Sequence, residues 1–165
     1  MSLAMRWPWI SVGEQPADYL DDVYRYAKSR LSSREDAEDV ACEVVHSLPT
    51  RTTRPDLKPY MIGIARRKIV DRLRRSRDIV EILEIDHVHR FDDASDDAAV
   101  VERVLSAVAE DQREALVLKY VIGLSSAEIG TVLNRRSDAV DSLLQRGRAA
   151  FAAAWTEISS EKVNS

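Results

Sequence analysis

Cysteine occurs once in 165 residues, at Cys42, so an internal disulfide framework is excluded and a reducing cytosol fits. Five glycines and five prolines are too few for strands joined by many tight turns, which points away from an all-β fold. No apolar run approaches eighteen residues, so no membrane span is expected and the chain reads as cytoplasmic. Trp7-Pro8-Trp9 is too short and broken to be the core of a signal peptide, and Met1-Ser2-Leu3 before Met5 reads as an expression scar. Nucleophile-and-base arrangements, phosphate loops and metal clusters are also missing. The chain is therefore not expected to be an enzyme or to need a cofactor. Cys42 with His46, one turn apart, and His87 with His89 are each only two ligands; Cys42 and His46 read as packing residues. A net basic charge is lacking as well: formal charge −4 and a pI near 5.5 argue against indiscriminate coating of nucleic acid.

What is present is a cationic island. Arg66 to Arg77 holds seven cations and one carboxylate, Asp71, a local charge of +6 that leaves −10 for the rest of the chain. So many like charges repel one another unless an anion offsets them, so the island marks where a polyanion is held. The apolar fraction of 45% supports a packed core, and the 32% charged fraction suits helices with long solvated faces.

Helical spacing governs the chain from Pro16. Leu20, Val23, Tyr24, Ala27 and Leu31 form one stripe, with Asp18, Asp21 and Asp22 at the positive end of the helix dipole. Ser32 with Glu35, or Ser33 with Asp36, caps a second helix whose inner face is Ala37, Val40, Ala41, Val44, Val45 and Leu48, and Pro49 stops it. Its outer face is acidic. After a polar loop, Pro55 or Pro59 opens a third helix with Leu57, Met61, Ile64, Ala65, Ile69 and Leu73 inward and the island along its second half. Residues 78–97 then carry eight acids against the single base Arg90. They form an interdomain linker, with Ile79 to Leu83 as a possible short ordered piece.

Beyond the linker, Val100, Val101, Val104, Leu105 and Val108 form another stripe. Asp111 with Glu114 offers a cap before Ala115, Leu116, Leu118, Tyr120 and Val121, and Gly123 ends that helix. Ser125 with Glu128 is a capping box for a short helix containing Ile129 and Val132. Asn134-Arg135-Arg136 is a turn, and Ser137 caps a longer helix through Val140, Leu143, Leu144, Gly147 and Phe151, with the tail after Trp155 fraying. This is a helix-turn-helix pattern, although an ordinary helical hairpin fits the pattern about equally well.

Taken together, these residues resemble a bacterial sigma factor of the extracytoplasmic-function group, in the sigma-70 superfamily, from about Tyr19 to Trp155. Tyr24-Arg25-Tyr26-Ala27 and Arg34 to Val40 resemble the family's opening signature. Ile64-Ala65-Arg66 and Asp71 to Arg75 resemble its promoter-melting helix. Leu124 to Gly130 with Val140 to Arg148 resembles its second DNA-binding domain. The resemblance implies an all-α fold of two small helical domains joined by an acidic linker, with residues 16–77, 78–97 and 98–158 as the three parts. It implies core RNA polymerase and promoter DNA as partners, and an anti-sigma factor is expected of the family.

It also implies roles for residues. Asp36, Glu38, Asp39 and Glu43 would dock on the polymerase. Arg54, Lys58 and Tyr60, with Arg66, Arg67, Lys68, Arg72, Arg74 and Arg75, would hold and open the minus-ten element. Arg135, Arg136, Ser137, Asp141, Ser142, Gln145, Arg146 and Arg148 would face the minus-thirty-five element. The acidic linker would thread toward the polymerase active centre. The chain departs from the family pattern at Tyr60, usually Trp, and Arg67, usually Asn. Asp141 and Leu143 stand where the family favours a base. A carboxylate accepts from cytosine but repels phosphate, so Asp138 and Asp141 put minus-thirty-five reading in question. Two other readings stay open: a free-standing helix-turn-helix regulator, and a sigma-like interaction protein with weakened DNA reading.

Overall fold

The structure, a computed structural model, describes residues 13–79 and 96–163. Among these every regular element is a helix, and the rest is turns and loops with one isolated antiparallel bridge between Glu14 and Thr52. A 3-10 turn at Pro16–Tyr19 leads into α1 (Leu20–Arg30), followed by α2 (Arg34–His46) and α3 (Leu57–Ile79). After the segment 80–95 come α4 (Asp96–Ala107), α5 (Glu110–Leu116), a π-helical turn at Val117–Val121, α6 (Ser126–Leu133) and α7 (Ser137–Val163). The possible ordered piece at Ile79 to Leu83, the His87/His89 pair and Trp7 and Trp9 lie wholly or mostly outside the described residues.

In the first half, α1, α2 and α3 pack on one another. Val23, Tyr26, Ala27, Ala37, Val40, Val44, Met61, Ile62 and Ile69 lose all solvent contact. The α1 stripe needs correcting. Leu20 is exposed at the helix start, and Tyr26, outside the predicted stripe, is fully buried because its hydroxyl finds a partner in the second half. The cap of α2 is Ser33, which accepts from the Asp36 N–H at 3.2 Å; a Ser32/Glu35 box does not form. Cys42 and His46 are exposed rather than packed. Cys42 borders an open cleft between α1 and α2 with Leu20, Asp21 and Tyr24, and among the described residues no group of three ligands comes together.

In the second half α7 is the spine, packed against α4, α5 and α6. Asp111 does not cap: α5 begins after Ala109, and Glu114 is drawn into the interior. Tyr120 is 61% exposed, not part of the core. The Ser125/Glu128 capping box forms with both reciprocal bonds, at 2.7 and 3.2 Å. The turn depends on two backbone features. Asn134 takes left-handed φ 53°, which closes α6, and the Arg135 carbonyl approaches Gly130 so closely that a Cβ there would meet it at 2.5 Å. Ser137 is the first residue of α7 rather than its cap, and the helix runs on to Val163 rather than fraying after Trp155, with Phe151 and Trp155 stacked at 6.2 Å.

The two halves share one apolar core. α6 lies on α3, the π turn lies on α1, and buried side chains run without a break from Val23 and Ile69 to Ile129 and Leu143.

Candidate nucleic-acid interface

The acids of α2 and the cations of α3 come from neighbouring helices, and the fold pairs several of them. Arg72 reaches Glu43 at 2.8 Å and Asp36 at 3.2 Å, and Lys68 reaches the other Glu43 oxygen at 3.2 Å. Burial pushes the Glu43 carboxyl up, but the Lys68 and Arg72 charges and hydrogen bonds outweigh it and hold its pKa below the ordinary 4.5. Glu38 pairs along its own helix with Arg34 at 2.9 Å, and Asp39 is exposed. Thus all four acids share one helix, but Asp36 and Glu43 are already engaged by the island.

The island itself is split three ways. Lys68 and Arg72 face α2. Arg67, Arg74 and Arg75 are exposed. Arg66 turns toward the second half and donates from Nε to Glu114 at 3.0 Å. At the start of α3, Lys58 pairs with Asp22 at 3.2 Å. Arg54 pairs with Asp56 at 2.7 Å and lays its guanidinium over the half-buried Tyr60 ring, 3.9 Å from the centroid. The aromatic face of Tyr60 is therefore covered by an arginine that rides on a loop.

Around the helix-turn-helix, Arg135, Arg136, Ser137, Asp141, Ser142, Gln145, Arg146 and Arg148 are all exposed. Val140, Leu143 and Leu144 point inward to fix the helix. The two carboxylates that put DNA reading in question have local partners: the Ser126 hydroxyl donates to Asp141, and Arg136 lies 3.4 Å from Asp138. Leu143, where the family pattern has a base, is fully buried, so it presents nothing to a groove. Arg148 is turned back, donating to the Tyr120 hydroxyl at 3.3 Å.

The sequence did not reveal one cluster. Tyr26 donates to Glu114 at 2.6 Å, Arg30 Nη1 lies 2.6 Å from the same oxygen without hydrogen-bonding geometry, and Arg30 Nη2 reaches Glu110 at 3.2 Å. Glu114 is only 5% exposed. Burial drives its pKa up, but Arg30, the Tyr26 hydroxyl and Arg66 outweigh that and keep it below 4.5. Burial and then the Glu114 charge push the Tyr26 phenol well above its ordinary value. No local spacing signals this cluster, because its members come from α1, α3 and α5.

Comparison with known proteins bears on this arrangement. The profile of sigma-70 region 2 matches residues 17–79, and that of sigma-70 region 4 matches residues 98–151. The ECF RNA polymerase sigma factor BldN of Streptomyces coelicolor is 28% identical over 146 residues, covering 78% of this chain and 54% of BldN, so the chain spans about half of that relative. ECF RNA polymerase sigma factor ShbA of Streptomyces griseus is 30% identical over 138 residues, covering 70% of this chain and 72% of ShbA. In fold, the chain is similar to the sigma factor RpoE of Bartonella quintana, solved in complex with the anti-sigma factor NepR, with a TM-score of 0.66 and 20% identity over 85% of this chain and 93% of that one. Among the described residues no helix is long and apolar enough to cross a membrane. The two sigma-70 regions imply RNA polymerase and promoter DNA as partners. With regions 2 and 4 matched in order, and ShbA 30% identical and covered over 72% of its length, the chain belongs to the extracytoplasmic-function sigma factors, a family of alternative, non-enzymatic transcription-initiation factors.

Proposed function

We propose that residues 16–77 dock on core polymerase and open the minus-ten element, that 98–158 read the minus-thirty-five element, and that the acidic linker 78–97 threads toward the polymerase active centre. The observation that carries this is the segregation of charge in the first half. An acidic α2 lies beside a cationic α3, so one helix faces a protein and the other a polyanion. In this division Asp36, Glu38, Asp39 and Glu43 form the docking face. Arg67, Arg74 and Arg75 supply the standing charge for DNA, while Arg66, Lys68 and Arg72 must first leave their carboxylates. Each phosphate neutralised in duplex releases about 0.9 counterions, so binding falls steeply with salt.

Opening needs a trap for unstacked bases. Tyr60 supplies the ring once Arg54 swings aside, with Lys58 nearby for phosphate; aromatic stacking is worth about 1–3 kcal/mol per base. In the second half, Arg135, Arg136 and Arg146 address phosphate, and Ser137, Ser142 and Gln145 offer hydrogen bonds to base edges. Asp141, held by Ser126, acts as a brace between the two helices rather than as a reader of DNA, which removes the main reason to treat the second half as a relic. An anti-sigma factor is a further proposed partner, and RpoE, solved with NepR, supports it.

The test is co-elution with sigma-free core polymerase on a sizing column. Wild type is expected to co-elute and Asp39→Arg with Glu43→Arg is not. A folded wild-type chain that runs apart from core would defeat the assignment.

A further inference from the structure

We infer that the second half holds a small-molecule site. A pocket between α4, the π turn and α7 takes a medium-chain fatty carboxylate, with its tail among apolar side chains and its head on Arg148 and Tyr120. The inference does not depend on which DNA or polymerase contacts the chain makes.

The π turn forms one wall. Its backbone closes on the Ile122 N–H, which donates to the Val117 carbonyl five residues earlier at 3.0 Å. Single π turns are rare and recur at functional sites. Beside it lies a cavity of about 320 Å³ whose lining is almost wholly apolar. Val101 and Leu105 of α4, Val117 and Val121 of the turn and Phe151 of α7 supply most of that lining. Close-packed interiors leave few voids larger than a water molecule. This one reaches the lower end of the range for small-molecule sites, about 300–1,000 Å³. At about 30 Å³ for each water-sized group it holds roughly ten of them, the bulk of an acid of eight to ten carbons.

The head group follows from the polar part of the lining, which is Arg148 and Tyr120. Arg148 donates to the Tyr120 hydroxyl at 3.3 Å, and among the described residues no carboxylate pairs with it. In accepting that bond the hydroxyl keeps its own proton to donate. A guanidinium fork beside an O–H donor suits a carboxylate, which takes charge-assisted hydrogen bonds from both. A cationic head is repelled there, and a neutral alcohol gains burial of its tail without the charge. A pocket this short also selects a free acid over a membrane lipid, whose longer chains overrun it. Leu105 and Val117 belong to the core around α7, so an occupant that binds only the folded chain stabilises the second half.

Isothermal titration calorimetry on the full chain tests this with hexanoate, octanoate and decanoate. 1-Octanol and octyltrimethylammonium are the neutral and cationic probes, all below their micellar concentrations. One carboxylate is expected to bind per chain, about fourfold tighter for each added methylene. Octanoate should bind at least about tenfold tighter than 1-octanol, and octyltrimethylammonium weakest. Decanoate should raise the melting temperature. Arg148→Met, at an exposed position, keeps an apolar stem and removes the charge. It should weaken octanoate about tenfold and leave 1-octanol unchanged. Val121→Phe fills the pocket and should abolish both. Circular dichroism checks the fold, and Arg148→Met decides the matter where Val121→Phe is misfolded. Equal affinity for octanoate and 1-octanol, or an equal loss of both in Arg148→Met, overturns the site. So does uptake of several molecules per chain without saturation. Binding of none of the probes overturns it as well and leaves the pocket to a protein side chain.

Discussion

Arg72 on α3 closes a 2.8 Å ion pair with Glu43 on α2, tying a cation proposed for DNA to an acid proposed for polymerase. Both groups are partly exposed, so the pair itself adds little stability, about 0–1 kcal/mol for such surface pairs. Its effect is on availability. Glu43→Gln is expected to leave the melting temperature nearly unchanged, weaken association with core polymerase, and tighten duplex binding by the free chain because Lys68 is released and Arg72 keeps only its pair with Asp36. Parallel sizing and anisotropy titrations check this, and movement of both affinities in the same direction would contradict it.

The exposed cations should be readable in the salt dependence. Replacing Arg67, Arg74 or Arg75 by Ala is expected to flatten the slope of log affinity against log salt by about 0.9 for each duplex phosphate that is no longer neutralised. Replacing Lys58, paired with Asp22, should flatten it less. Anisotropy across a salt series on the assembled holoenzyme measures each slope.

At Tyr60 the ring is expected to matter more than its hydroxyl. Tyr60→Phe should retain promoter opening, and Tyr60→Ala should lose stacking worth about 1–3 kcal/mol, a fall of about fivefold to about 150-fold in open complexes. Arg54→Ala uncovers the ring and should speed opening where Tyr60→Ala slows it. Permanganate footprinting of unpaired thymines reports both.

Acid should loosen the contact between the halves. The folded pKa of Glu114 is depressed below 4.5. Its stabilising contribution is therefore fully present above 4.5 and is lost as pH falls through the lower folded value. Chemical denaturation from neutral pH downward should show wild type losing stability in that window, while Glu114→Gln starts less stable and falls less. Equal slopes would mean that other carboxylates govern the acid limb.

Gly130→Ala should damage the helix-turn-helix without touching any DNA-facing side chain. The added Cβ meets the Arg135 carbonyl, which is backbone and cannot step aside cheaply. A loss of about 1–3 kcal/mol is expected by analogy with overpacked cores, seen as a lowered melting temperature. Thr131→Ala, on the exposed face of the same helix, is the control.

Local pattern determined much of this protein. Apolar spacing specified the inner faces of α2 and α3, the Ser125/Glu128 box specified the start of α6, and Gly123, with φ 81°, specified a helix end. The cationic island was legible from composition because charge density does not depend on the fold. These features rest on interactions within one or two turns, which the sequence displays directly. Tertiary structure alone decided how the charges are spent. Whether Arg66 faces solvent or Glu114, whether Arg72 is available or tied to Glu43, and whether Tyr60 is bare or under Arg54 depend on helices and a loop whose relative placement no local spacing encodes. Tyr26 and Glu114 stand 88 positions apart. Only the fold that brings Glu114 of α5 to Tyr26 of α1 and Arg66 of α3 gives that phenol and that carboxylate a reason to be buried, because each is the other's hydrogen-bond partner in a place almost closed to water.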